Sequence, residues 1–178
     1  MKNSFVLIAC VCVLFSCAEQ EARRPVTQKT ATILSETIQQ QKELIENENK
    51  FIEDFIAKDS TNTYITSSFG FWYSYITKKE NGMKSPITGD EVELEYNITD
   101  INNKTIYSKE ELGVKKYTID KEDFIPGLQD GLKLMKVGET ILFIIPSYRA
   151  FGLVGDENKI GINQTIKSTV TLINIKQK

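Results

Sequence analysis

The sequence contains no histidine. That absence removes imidazole acid–base catalysis and both the Ser-His-Asp and Cys-His nucleophile arrangements. Cysteine is almost as scarce: Cys10, Cys12 and Cys17 are the three it has, and none follows position 17. The body of the chain therefore has no disulfide and no free thiol, and nearly all zinc and redox sites are excluded. No Walker-type or dinucleotide-binding glycine loop is there to cradle a phosphate. Charge is close to balanced, 22 basic against 24 acidic residues, and interspersed without a long block. That pattern gives no footprint for nucleic acid. Acidic pairs occur at Glu110-Glu111 and Glu122-Asp123, but glycosidase chemistry needs two carboxylates held across a cleft. A hydrolase does not fit this inventory, and no metal or cofactor is implied.

What is there suffices for one globular domain plus an appendage: 178 residues, 40% of them hydrophobic. Lys2 precedes an apolar run from Phe5 to Phe15, too short to span a bilayer as a helix. The run closes on Leu14-Phe15-Ser16-Cys17 and then turns polar. A short apolar region ending on a small residue reads as a secretory signal over residues 1–16. With cysteine next it resembles a bacterial lipobox, which implies that Cys17 is lipidated and opens the mature chain. Several acyl chains on one residue would anchor it stably in a membrane. The expected setting is extracytoplasmic, a membrane-anchored lipoprotein facing the periplasm.

Residues 17–31 read as the lipidated cysteine and a flexible polar tether. From 32 to 58 the pattern is that of an amphipathic helix. Ile38, Ile45 and Ile52 repeat every seven, joined by Leu34, Leu44, Phe51, Phe55 and Ile56, with Gln41 and Glu48 interrupting the face. Such a helix either lies on its own domain or docks a partner, a homodimer included. The domain proper runs over 62–178. Tyr64 to Thr77 reads as one aromatic-rich strand with Gly70 marking a bulge or close approach. Asn81-Gly82 and Thr88-Gly89-Asp90 are turns. Val92, Leu94, Tyr96 and Ile98 alternate with polar residues as a half-buried strand, and Thr169 to Ile175 alternates again.

Residues 124–146 carry the densest signal. Phe124-Ile125 ends an extended segment and Pro126 presets φ for a first helical turn. Leu128, Leu132 and Met135 give that short helix one apolar face. Val137-Gly138-Glu139 is a turn, and Ile141 to Ile145 is a buried strand bounded by Pro146. Ser147-Tyr148-Arg149-Ala150-Phe151-Gly152 follows. The predicted fold is α+β: a curved antiparallel sheet wrapped on one short helix, preceded by the N-terminal helix.

This stretch resembles the core motif of the FKBP-type peptidyl-prolyl cis-trans isomerases, with the similarity reaching from Gly89 to Lys176. The resemblance implies an isomerase whose pocket is walled by Tyr96, Phe124, Ile125 and Phe151, with Leu128 as its floor. The Ile125 N–H would bind a substrate carbonyl, and Ile106, Tyr107 and Val170 would line the substrate. Proline-containing polypeptides would be the clients. The layout as a whole looks like the gliding-motility-associated FKBP-type lipoproteins of Bacteroidota, which implies cell-envelope clients.

Rotation about an X–Pro bond faces a barrier of about 20 kcal/mol, set by amide resonance. It requires no acid and no covalent intermediate, so an apolar pocket shaped to the twisted amide is chemistry this inventory allows. The sequence departs from the family where Leu128 replaces a Trp of its best-known members, Tyr107 an Asp, Phe151 a Tyr and Val170 a large aromatic. These departures keep a rival open: a non-catalytic binding module or chaperone-like lipoprotein on the same fold.

Overall fold

The computed structural model describes residues 27–80 and 84–178, with side chains from Ile33 onward. The signal expected at 1–16, the lipidated Cys17, most of the tether and the Asn81-Gly82 turn lie outside the described residues. Helix α1 (Thr27–Lys58) is followed by β1 (Ile65–Thr66), β2 (Trp72–Thr77), β3 (Glu91–Tyr96), β4 (Ile98–Thr99) and β5 (Thr105–Tyr107). Helix α2 (Lys109–Leu112), β6 (Lys115–Thr118), α3 (Pro126–Leu132), β7 (Thr140–Ile145), a 3-10 turn (Ser147–Arg149) and β8 (Ile166–Lys176) complete it. The strands form an antiparallel sheet in the order β1-β2-β7-β8-β3-β6, with β4 on β8 and β5 on β4. The α+β class expected from the patterning is the fold observed.

The chain divides into two compact units at Gln40 and Gln41. The first holds the N-terminal part of α1, where the side chains of Ile33, Leu34 and Ile38 are exposed. The helix starts at Thr27 rather than near 32, so residues 27–31 are helical and not tether. No glycine or proline lies between Val26 and Lys58, so nothing in that stretch stops the helix extending backward.

The second unit, Gln41–Lys178, carries the sheet. Its main core lies between the sheet and α3, where Leu128, Leu132 and Met135 are fully buried against Val92, Leu94, Phe143 and Ile145. Each such side chain contributes about 1.5–3 kcal/mol by leaving water. Gly127 and Gly131 let α3 sit this close. A Cβ on Gly127 would stand 2.5 Å from Ile145 Cγ2, and one on Gly131 would stand 2.7 Å from Phe143 Cε1.

The opposite face explains why β7 is apolar without alternation. Ile144 points away from α3 and meets Ile52 of α1 and Trp72 of β2 in a second small core, with Phe55 and Ile56 packed on it. A strand covered on both faces reads as a continuous hydrophobic run. The half of α1 from Gln41 on thus lies on its own domain. Helix α1 ends at a turn gathered by Asp59, whose carboxylate accepts from Thr61 N–H, the Asn62 amide and the Tyr64 hydroxyl, each at 2.9 Å.

Two expectations need correction. Tyr64 to Thr77 is a hairpin, not one strand: β1 pairs with β2 through Ile65 opposite Tyr73, and Gly70 takes φ +80° at the corner. The aromatics favour extended chain, but glycine permits the left-handed turn at no steric cost. The domain also has a second short helix besides α3. In α2 the Ser108 hydroxyl accepts from the Glu111 N–H at 3.2 Å. Ser108-Lys109-Glu110-Glu111 carries the Ser and Glu positions of a capping box, a signal present in the sequence.

Candidate functional site

Ile125 caps α3 at its N-terminus, and its carbonyl accepts from the Leu128 and Gln129 N–H groups at 2.9 Å. Pro126 at the first helical position fixes the chain direction there. Among the described residues the Ile125 N–H has no backbone acceptor. The Gln129 side chain reaches back to donate to the Phe124 carbonyl at 3.2 Å, which holds the Phe124-Ile125 pair in place.

Beside this helix start opens a cavity of about 420 Å³. Tyr96, Phe124, Ile125, Ala150 and Phe151 form its apolar walls, and Tyr107 and Asp156 stand on its polar side. Phe124 is wedged between two tyrosines: Tyr96 meets it edge-on with ring centres 5.4 Å apart, and Tyr117 lies tilted at 5.1 Å. Burial pushes the Tyr96 hydroxyl up from its ordinary pKa, so it remains a proton donor. Ile125 is buried, at 8% exposed, and Phe151 is half-buried, and both line the cavity.

Of the eight residues expected around a substrate, Tyr96, Tyr107, Phe124, Ile125 and Phe151 are brought together on this wall. Three are not. Leu128 is on the inner face of α3 and completely buried in the core. Val170 is likewise sealed, in central strand β8, opposite both Tyr96 and Ile141. Ile106 packs half-buried against the core from β5.

Six further residues line the wall, namely Ile98, Leu112, Asp123, Pro126, Ala150 and Asp156. Leu112 arrives with α2, which the capping box could have announced. Asp156 arrives from the loop after Gly152, with no local signal in the sequence. Its carboxylate accepts from the Tyr107 hydroxyl and from the Asn158 and Ile160 N–H groups at 3.0 and 2.7 Å. A carboxylate thus stands at the rim beside Tyr107, supplied by Asp156. Burial pushes the Asp156 carboxyl up, but the Tyr107 hydroxyl and the N–H groups of Ile160, Asn158 and Lys159 outweigh it and hold it below the usual range. Lys159 Nζ lies 4.5 Å over the Tyr107 ring and pairs with Glu111, which closes this edge of the site. Among the described residues no cluster of acidic side chains could hold a metal ion.

The antiparallel sheet over α3, with an apolar cavity at the helix start, is an FKBP-like domain. The sequence model of the FKBP-type peptidyl-prolyl cis-trans isomerase family matches residues 82–173, and the chain belongs to that family. It is 33% identical over 125 residues to the "Probable FKBP-type peptidyl-prolyl cis-trans isomerase FkpA" of Neisseria meningitidis serogroup B, covering 70% of this chain and 44% of that protein. The chain thus spans less than half the length of that curated relative. The crystal structure of FkpA from Escherichia coli superimposes with a TM-score of 0.60 at 25% identity, over 97% of this chain and 82% of that one. A peptidyl-prolyl cis-trans isomerase from Pseudomonas syringae pv. tomato shares the fold at a TM-score of 0.59 and 22% identity, over 74% of this chain and 96% of that one.

Proposed function

We propose that this chain is a peptidyl-prolyl cis-trans isomerase that assists the folding of exported polypeptides. The observation that carries the reading is the open cavity between Ile125 and Phe151: apolar walls, with an unspent backbone N–H at the Ile125 helix cap. A planar X–Pro amide is charge-separated and loses part of that separation on twisting. Apolar walls therefore favour the twisted form relative to the planar one. The Ile125 N–H would hold a substrate carbonyl while the proline ring rests against Phe124 and Phe151. Family membership and the likeness to two FkpA proteins support the same activity.

We place the protein outside the cytoplasm, anchored through lipid on Cys17. The apolar Phe5 to Phe15 run ending at Ser16-Cys17 and the lack of later cysteines support this. The short signal, the amphipathic helix and Tyr107-Ser108 support the narrower reading of a gliding-motility-associated lipoprotein of Bacteroidota, with envelope proteins of that machinery as clients. The exposed apolar side chains of Ile33, Leu34 and Ile38 suit a helix partner, a second copy of the chain among the candidates.

A protease-coupled assay on Xaa-Pro-Phe peptides with the full chain in detergent micelles tests the activity. Ile125→Asp should abolish the catalysed rate; an unchanged rate would show that the cavity is not where isomerisation occurs. A second reading, a binding module without catalysis, is favoured by Phe151 lacking a hydroxyl and by the Tyr107 hydroxyl being committed to Asp156. Peptide binding with no rate above background at micromolar protein would select it. Cys17→Ser should release the protein from membranes, and retention would remove the lipid anchor from the proposal.

A further inference from the structure

Glu48 breaks the apolar stripe of α1, and the fold puts its carboxylate to use. Oε1 accepts from the Ser147 N–H at 2.7 Å and from the Thr165 hydroxyl at 2.5 Å, while Oε2 accepts from the Ser147 hydroxyl at 2.7 Å. Next along the helix, the Asn49 side chain accepts from the Tyr148 hydroxyl at 3.0 Å. Hydrogen bonds to an ionised carboxylate are shorter and roughly twice as strong as neutral ones. Ser147 and Thr165 are the two ends of the segment that leaves β7 and returns to β8, so one carboxylate closes that long loop. Phe151 and Asp156, both on the cavity wall, lie within it.

The connection to Phe151 is short. The carbonyl of the same Ser147 accepts from the Ala150 and Gly152 N–H groups at 2.9 and 2.8 Å, the residues on either side of Phe151. We propose that Glu48 is a positioning residue for the proline cavity, acting through Ser147 to set where Phe151 stands. This rests on the isomerase reading above. The α1 helix then does more than cover Trp72 and Ile144: it fixes one wall of the site from across the sheet.

Amide hydrogen exchange and isomerase kinetics on the full chain, as wild type, Glu48→Ala and Glu48→Gln, test the idea together. In Glu48→Ala the Ala150 and Gly152 amides should exchange at least tenfold faster, while the Leu128 and Gln129 amides of α3 keep the wild-type rate. kcat/KM should fall at least tenfold. Glu48→Gln keeps one oxygen acceptor and should restore part of both quantities; if the alanine variant does not fold, it carries the test alone. Wild-type exchange at Ala150 and Gly152 would overturn the proposal, as would faster exchange there with unchanged kcat/KM. Equal acceleration in α3 would also overturn it, since Glu48 would then stabilise the domain generally. A wild type without isomerase activity would refute the catalytic reading alone, and loop-confined exchange would still uphold the link from Glu48 to Phe151.

Discussion

The Tyr107 hydroxyl donates to Asp156 Oδ2 at 2.5 Å, although 49 residues separate the two in sequence. Asp156 holds that hydroxyl's pKa above its ordinary value by accepting the bond, and the bond in turn favours the ionised carboxyl. Tyr107→Phe should therefore raise the Asp156 pKa, because only the N–H donors remain. Carbon-detected NMR titration of the Asp156 carboxyl reads this directly. A titration curve identical to wild type would mean that the hydroxyl contributes nothing to the charge state of the rim.

Asp59 makes a pH prediction at the end of α1. The Asn62 side-chain amide and then the Thr61 N–H hold its carboxyl down to about 2, from an ordinary 3.8. A depressed carboxyl contributes stability above its unfolded pKa and loses it as the pH falls through the folded one. Wild type and Asp59→Asn should thus differ in urea midpoint by a constant amount near neutrality. The difference should shrink as the pH drops from 3.8 towards 2. A difference that stays constant to pH 2 would rule out this linkage.

Gly131→Ala should destabilise the domain. The added Cβ would come within 2.7 and 2.9 Å of two ring atoms of Phe143, which is fully buried and has no room to retreat. Overpacking of this kind costs about 1–3 kcal/mol. Urea unfolding measures it, and a variant as stable as wild type would show that α3 can shift away from β7.

Phe151→Tyr should raise kcat/KM on Xaa-Pro peptides if the cavity is an isomerase site. One added hydrogen bond to a bound peptide is worth about 1 kcal/mol, roughly fivefold in rate. Wild type and Phe151→Tyr compared in the same coupled assay decide it. A lower rate would mean that the new hydroxyl finds Asp156 or Tyr107 rather than the substrate.

Much of the sheet and α3 was legible because burial imposes a period. Val92, Leu94 and Tyr96 alternate inward, and Leu128, Leu132 and Met135 fall on one helical face, with the expected burial in each case. The hairpin at Gly70 was not legible as such, since aromatic residues extend the chain on both sides of the corner. Among the wall residues, Tyr96, Phe124, Ile125 and Phe151 could be named only through family resemblance; locally each reads as an ordinary core position. Leu128 and Val170 share the same local chemistry but face inward, and single-sequence patterns do not distinguish a sealed face from an open one. Asp156 and Glu48 were beyond reach for a different reason. Their partners lie 49 and 99 residues away, and only the closed sheet brings them together.

The sequence has one tryptophan, and the fold puts it where α1 meets β2 and β7. Trp72 is 6% exposed, pressed between Ile52 and Ile144, while the cavity beside α3 has no indole at all. Its fluorescence is therefore a private gauge of one seam. A red shift would announce that the helix has lifted from the sheet, and a bound peptide beside Phe124 would leave the emission dark to its presence unless the seam itself responded.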